Sequence, residues 1–235
     1  LVSDPLFVTS QTHSCRDISR ILWSLQRLRV GSGIYNLDLE SRCVQSLAER
    51  LLEIVTIQSK GSRGKGKCDP KTLTAVVRSG VMMFSNDNVT NALLDAASIL
   101  ILDDTIAVDV SDSSDDIIFV DSGVTAPFLL QCNDSQLSWL LWGFAVARRY
   151  DKDVFVALTD QVLDSISDDS VGASSASRIM WSTSVLMSLD GASDALRCND
   201  LFFQLSPILL SSQLSPIDLS CAMYAIAKTN YVLDR

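Results

Sequence analysis

Basic residues in the first third of the chain are the clearest candidates for chemistry, and the chemistry they offer is binding of phosphate. Arg63, Lys65 and Lys67 lie in the glycine-rich segment GSRGKGKC at residues 61–68. The spacing fits a nucleotide-binding phosphate loop, but Cys68 stands where that loop needs the Ser or Thr hydroxyl that holds its metal ion. Basic side chains on a flexible loop suit contact with RNA phosphates better. A solvated loop without a ligand is the alternative interpretation.

Arginines before this segment form a second basic group at helical spacing. Arg20 and Arg27 are seven residues apart, and Arg16 extends their row by one turn, so the three share one face of a predicted helix. Arg29 and the 60–71 segment are expected to join the same positive region, although these arginines could equally only solvate a helix surface. The predicted RNA-binding residues are Arg16, Arg20, Arg27, Arg29, Arg63, Lys65 and Lys67.

Two other groups of reactive side chains give weaker indications of chemistry. His13 is the single histidine and lies two residues from Cys15, but no other Cys is close in sequence, so a zinc site or a catalytic triad lacks partners. Residues 103–121 hold seven Asp without the Gly and final Glu of an EF-hand loop. A solvated, self-repelling loop is favoured there, and contact with a basic protein is the alternative. We expect no catalytic residue, no metal and no cofactor.

The charge of the chain is distributed very unevenly. The 235 residues carry a net charge of −9, which taken alone argues against a nucleic-acid binder. Residues 1–78, however, carry 12 Lys/Arg against 7 Asp/Glu, and residues 79–147 carry no Lys or Arg and 10 Asp. Residues 148–235 carry 7 basic against 11 acidic residues. We therefore expect RNA to contact the first third and to be repelled by the middle.

Composition and periodicity predict an all-α fold with short connections. With 47% apolar and 20% charged residues, the chain can bury a core. Apolar residues recur at intervals of three and four, and strand-like alternation is limited to residues 105–110 and 117–120. The longest apolar run, 139–147, is far shorter than the ~18 residues that span a bilayer. The six cysteines form no CxxC pair, which favours reduced, packing thiols in a reducing compartment.

One six-residue pattern returns five times along the chain. An apolar residue is followed by a small hydroxyl residue, two variable positions, an apolar residue and usually an aromatic. The motifs begin at Ile18, Leu73, Leu137, Ala176 and Leu219, and their sixth positions are Trp23, Arg78, Trp142, Trp181 and Tyr224. We expect the aromatic sixth residues to be buried between helices, with base stacking on exposed rings as the alternative. The hydroxyl residue is expected to start a helix or to pack tightly.

A second apolar helix is predicted after each motif, at 39–57, 89–102, 153–166 and 201–210. The sequence thus predicts an α-solenoid of helical-hairpin repeats of about 40 residues. The expected units are 16–58, 71–102, 134–167, 174–211 and a truncated 217–235, with a basic insertion at 59–70 and an acidic one at 103–127. Since the chain begins at Leu1, we expect it to be processed or part of a longer protein.

Four of the motifs resemble the repeats of a family of organellar RNA-handling proteins. The stretches LSWLLWGFA (137–145), ISRILWSL (18–25), ASRIMWST (176–183) and LSCAMYAIAK (219–228) are similar to algal octotricopeptide repeats and to the related repeats that precede RAP domains in apicomplexan and FAST-kinase-type proteins. The resemblance implies an α-solenoid in a mitochondrion, or alternatively a plastid, that binds RNA or serves in an RNA-rich assembly such as the ribosome.

The function expected from this resemblance is that of a non-enzymatic component of the mitochondrial ribosome. It would contact RNA, most simply rRNA, through the basic first third, and ribosomal or other basic proteins near the acidic middle, without a membrane. A free organellar transcript-binding factor for RNA stability or processing is the first alternative. A protein-binding scaffold of the armadillo or HEAT type is the second.

Overall fold

The described part of the chain is all-helical, which confirms the prediction of an all-α fold. The computed structural model describes residues 13–32, 37–59, 68–83, 87–103, 127–189 and 195–229, and these ranges contain no strand. A single 3-10 turn, Leu129–Gln131, precedes the fifth helix. The α-helices are α1 Cys15–Ser32, α2 Leu37–Ser59, α3 Pro70–Met83, α4 Asp87–Asp103, α5 Asp134–Val146, α6 Lys152–Ser167, α7 Ala173–Met187, α8 Ala195–Leu210 and α9 Pro216–Thr229.

The observed helices extend the predicted second helices by a few residues at most of their ends. Helix α2, for example, covers 37–59 where the apolar pattern predicts 39–57, and α6 covers 152–167 where it predicts 153–166. The predicted insertions 59–70 and 103–127 both include residues that belong to helices. Ser59 is the last residue of α2, Pro70 is the first residue of α3, and Asp103 is the last residue of α4. Residues 60–67 and 104–126, including both strand-like pieces, lie outside the described residues.

The helices pack in two rows. Helices α1, α3, α5, α7 and α9 carry the five motifs, and each packs against the next of this set; we call them row A. Helices α2, α4, α6 and α8 pack against one another in the same order and form row B. Each row A helix except α9 also packs against the row B helix that follows it in sequence. The motif helices therefore share one layer, and equivalent motif positions lie side by side.

All five row A helices begin in the same register with respect to the motif. The N-cap residue stands four places before the first motif residue, whose backbone N–H donates to the N-cap carbonyl at 2.9–3.0 Å in every case. In α5, the Asn133 and Gln136 side chains form a reciprocal capping box. Gly172 has no side chain to cap α7. The five N-cap positions are Ser14, Asp69, Asn133, Gly172 and Ser215.

Small residues let neighbouring row A helices approach closely. The residue after the sixth motif position is Ser79, Gly143, Ser182 or Ala225 in α3, α5, α7 and α9, and all four are buried. A Cβ atom at Gly143 would overlap Cγ1 of Val77 on α3. The first motif residues of α1, α3, α5 and α7 are also fully buried. The core of the described chain thus runs continuously along row A.

Helix α9 leaves part of its apolar face uncovered. Leu219 and Met223 occupy the first and fifth motif positions, which are buried in the four preceding row A helices, but here they are exposed. Ile217 is exposed beside them. Among the described residues, no helix follows α9 to cover this face.

The cysteines pack as thiols, as the sequence indicates. All six are free, five are buried, and Cys221 is half-buried. The thiols of Cys15, at the start of α1, and Cys68, just before α3, are hydrogen bonded to each other. This hydrogen bond, together with burial, raises the pKa of the Cys68 thiol, and the same hydrogen bond lowers the pKa of the Cys15 thiol.

Candidate RNA interface

The structure describes only part of the predicted basic surface. Arg16, Arg20 and Arg27 lie on α1 and are exposed, as their spacing predicts. Arg29 also belongs to α1, but its side chain lies outside the described residues. Arg63, Lys65 and Lys67 lie outside them entirely, so their place beside α1 stays a prediction.

The expectation that the sixth motif residues are buried is wrong at two of the four aromatic positions. Trp23 is 52% exposed and Tyr224 is 46% exposed. Trp142 and Trp181 are half-buried and pack at the edge of the core. The physical reason is the register, because the first, fourth and fifth positions fill the core and thereby turn the sixth toward the rim of the helix.

The third and sixth motif positions form one surface stripe across row A. Residues three apart are neighbours on a helix, so each row A helix contributes such a pair to the same side. From α3 to α9, rings and guanidinium groups of the stripe contact each other between neighbouring row A helices. We call this set the arginine–aromatic stripe; its members are Arg20, Trp23, Ala75, Arg78, Trp139, Trp142, Arg178, Trp181, Cys221 and Tyr224.

The centre of the stripe is the indole ring of Trp139 on α5. The Cζ atom of Arg78, from α3, lies 4.1 Å from the ring centroid, and that of Arg178, from α7, lies 3.9 Å from it. The ring of Trp142 meets Trp139 edge to face at 5.3 Å. Cation–π contacts and the aromatic pair stabilise this arrangement. We call Arg78, Trp139 and Arg178 the Trp139 clamp.

Similar contacts continue the stripe toward both ends of row A. At α1, the guanidinium of Arg27 lies over the ring of Trp23, 4.9 Å from its centroid. At the other end, the rings of Trp181 on α7 and Tyr224 on α9 are 6.4 Å apart and tilted by 44°. The stripe therefore offers guanidinium groups and partly open aromatic faces together, which are the groups that hold single-stranded nucleic acids.

The buried hydroxyl of Ser138 forms a hydrogen bond with one arginine of the clamp. Nη1 of Arg178 donates to Oγ of Ser138, the second motif residue of α5, at 2.6 Å. Burial lowers the pKa of the Arg178 guanidinium from its ordinary value, the charge of Arg78 lowers it further, and the carboxylate of Asp218 acts in the opposite direction. The two like charges are thus held near each other by packing on one ring.

Carboxylates near the stripe are already engaged in other contacts. Asp218, at the start of α9, accepts hydrogen bonds from the hydroxyls of Ser215 at 2.7 Å, Ser174 at 2.9 Å and Ser177 at 3.3 Å. These hydroxyls hold the pKa of the Asp218 carboxyl below its usual range. Asp134 accepts from the backbone N–H of Gly172 at 3.0 Å, which links α5 to α7. Among the described residues, no carboxylate forms an ion pair with an arginine of the stripe.

Charge separates between the two rows of helices. The row A helices together carry eight Lys/Arg and three Asp, a net of +5. The row B helices carry four Lys/Arg and eleven Asp/Glu, a net of −7. The uneven charge seen along the sequence is therefore also a separation across the fold. A polyanion approaching the molecule is attracted to row A and repelled by row B.

Sequence reasoning missed the clamp residues Arg78, Trp139 and Arg178. Arg78 stands at the sixth motif position, where the other four motifs have an aromatic residue, so it suggested only a weak repeat. The residue type at the third motif position varies, so that position suggested no function. Comparing the third and sixth positions of all five motifs as one surface column would have shown that they hold either an arginine or an aromatic in most repeats.

The described residues contain neither a candidate metal site nor a membrane-spanning helix. No group of three His, Cys, Asp or Glu side chains among them is placed to bind a metal ion, His13 and Cys15 included. The helices that the structure describes are too short or too polar to cross a bilayer. Comparison with models of known protein families, with curated proteins and with solved structures finds no match for this chain.

Proposed function

We propose that this chain is an α-solenoid of helical-hairpin repeats that binds RNA through row A as a non-enzymatic part of an organellar RNA–protein assembly. The observation that carries the proposal is the arginine–aromatic stripe on the positively charged row. Its five helices repeat one register, and their surface side chains combine guanidinium groups with aromatic rings. Phosphates bind the former and unpaired bases stack on the latter.

The mitochondrial ribosome is the proposed setting, and the acidic row B supports it. A protein with net +5 on one row and net −7 on the other can lie between RNA and basic proteins at the same time. Ribosomes provide both partners at close range. The compartment comes from the resemblance of the motifs to organellar repeats.

Charge reversal on α1 tests RNA binding directly. Arg20→Glu places a negative charge on row A, and Lys152→Glu makes the same change in net charge at an exposed site of row B. We expect Arg20→Glu, and more strongly Arg20→Glu with Arg16→Glu and Arg27→Glu, to weaken binding of the full chain to single-stranded RNA. The slope of log affinity against log salt should fall by about 0.7 for each phosphate that the variant no longer binds. Electrophoretic shift at several salt concentrations measures both quantities.

Equal losses of affinity in Arg20→Glu and Lys152→Glu would contradict binding through row A, because a general charge effect would explain both. If the wild-type chain binds no RNA, the scaffold alternative replaces the proposal. The apolar face of α9, with Leu219 and Met223 exposed, is the feature that favours that alternative.

Sedimentation of the native protein separates the ribosomal setting from a free transcript-binding factor. In a mitochondrial lysate we expect the protein to travel with large ribosomal particles and to stay with them in moderate salt. A protein that runs as a free species but still crosslinks to RNA would support the transcript-binding alternative and remove the ribosomal one.

A further inference from the structure

We propose that the Trp139 clamp binds the phosphate groups of single-stranded RNA, with Trp139 positioning the two arginines rather than stacking a base. This inference rests on the proposed function, since it names the strand type and the residues at which row A holds the backbone. The clamp lies at the middle of the described stripe, where three neighbouring helices meet.

The geometry brings two guanidinium groups within reach of one strand. Their Cζ atoms lie 4.1 and 3.9 Å from the same ring centroid, so they are at most about 8 Å apart. Arg78 and Arg178 come from the helices on either side of α5, and each guanidinium group lies over the ring of Trp139. A stacked guanidinium keeps the N–H donors at its edge for a phosphate, which it binds in a bidentate manner.

The charge of the clamp is only partly offset within the described chain, where the carboxylates of Asp218 and Asp134 act on Arg178 without pairing with it. Neither arginine forms an ion pair with a described carboxylate. Arg178 uses one donor on the neutral hydroxyl of Ser138, and the nearby Asp218 accepts from three serine hydroxyls. Two like charges at this separation repel each other, and a phosphate bound at each of them would reduce that repulsion. A phosphate is the anion that RNA presents to such a pair.

The neighbouring aromatic rings favour an unpaired strand over a duplex. Two guanidinium groups lie over the ring of Trp139, which leaves less of that ring open to a base. Trp23 and Tyr224, toward the two ends of row A, have about half of their surface exposed. Unpaired bases stack on such rings, whereas the bases of a duplex are already stacked on each other. The clamp therefore holds backbone while the ends of the stripe contact bases.

Neutralisation of the two arginines tests the clamp in the full chain. We expect Arg78→Gln with Arg178→Gln to weaken binding of a short, fluorescently labelled oligouridylate by at least about tenfold. The salt slope should fall by about 1.4, because this variant binds two fewer phosphates. The matched control, Arg148→Gln with Lys152→Gln, removes two exposed positive charges outside row A and should change affinity less than about twofold. Fluorescence anisotropy at several salt concentrations provides both numbers.

A second pair of variants preserves the two positive charges. Arg78→Lys with Arg178→Lys should keep the salt slope but weaken affinity several-fold, because an ammonium group lacks the planar stacking fork. Binding equal to wild type in this pair would overturn the proposed bidentate contact of the guanidinium groups with phosphate. A labelled duplex of the same length that binds as tightly as the single strand would overturn the proposed strand type.

The outcomes keep the two proposals separate. If wild-type protein binds oligouridylate and the glutamine pair binds it equally well, the clamp is overturned and the row A proposal stands. If the wild-type protein binds no RNA at all, the proposed function fails first. Circular dichroism of each variant shows whether weaker binding reflects a loss of fold.

Discussion

At the scale of single residues, the serine at the second motif position of α5 and of α7 forms a hydrogen bond with the next row A helix. Ser138 on α5 accepts a hydrogen bond from Arg178 on α7, and Ser177 on α7 donates one to Asp218 on α9. Both serines are fully buried, and Ser138 also donates to a carbonyl of its own helix, whereas Ser177 shares its one hydroxyl hydrogen between Asp218 and the carbonyl of Ser174. A small hydroxyl is suited to this place, because it fits between close helices and still reaches a partner on the next one.

Asp218→Asn tests how much these links contribute to stability. The change removes the charge that accepts three hydroxyl donors, so we expect the free energy of unfolding at pH 7 to fall by about 1 kcal/mol. Asp164→Asn, at an exposed site on α6, serves as the control and should change it less. Urea unfolding followed by circular dichroism measures the difference.

The difference in stability between wild type and Asp218→Asn should depend on pH in a defined direction. Serine hydroxyls, chiefly that of Ser215, lower the pKa of the folded Asp218 carboxyl below its ordinary value of 3.8. A lowered folded pKa means that the stabilisation is present above pH 3.8 and disappears as the pH falls toward the folded pKa. The gap between wild type and Asp218→Asn should therefore shrink below that pH. A gap that stays constant into acid would show that the carboxylate charge does not matter.

At the scale of helices, close packing between α3 and α5 depends on Gly143. Intrinsic helix propensity favours Ala over Gly by about 1 kcal/mol inside a helix, so Gly143→Ala should stabilise α5 if propensity decided the outcome. The added Cβ, however, would overlap Cγ1 of Val77, a β-branched side chain with little freedom to move. We expect a net loss of about 1–3 kcal/mol in thermal or urea unfolding.

A double-mutant cycle shows whether Val77 is the cause. Gly143→Ala combined with Val77→Ala should recover part of the stability, because the smaller side chain leaves room for the new methyl group. Destabilisations that simply add would mean that the two residues do not meet. Stabilisation by Gly143→Ala alone would mean that row A is packed less closely than the structure describes.

Sequence periodicity was sufficient for the helices and insufficient for the surface between them. The apolar positions that define α2 and α6 repeat at three and four residues, so their bounds follow from the pattern. Burial of Trp23 and Tyr224 did not follow, because an aromatic residue at helical spacing signals the core only if its place in the register is known. The clamp pairs Arg78 and Arg178, 100 residues apart in sequence, and local spacing cannot show a contact made through Trp139.

At the scale of the whole molecule, the separation of charge between the rows assigns different partners to its two sides. Photo-crosslinking side chains at position 75, a third motif position on α3, and at position 164, an exposed site on α6, sample row A and row B within an otherwise unchanged chain. In native organellar particles we expect position 75 to crosslink to RNA, since it belongs to the arginine–aromatic stripe. Position 164 should crosslink to protein, because the negative row repels phosphates and attracts basic polypeptides. Digestion with ribonuclease or with protease identifies the partner in each case. Equal crosslinking of both positions to RNA would contradict a molecule that lies between RNA and protein, and would leave charge separation without a role in assembly.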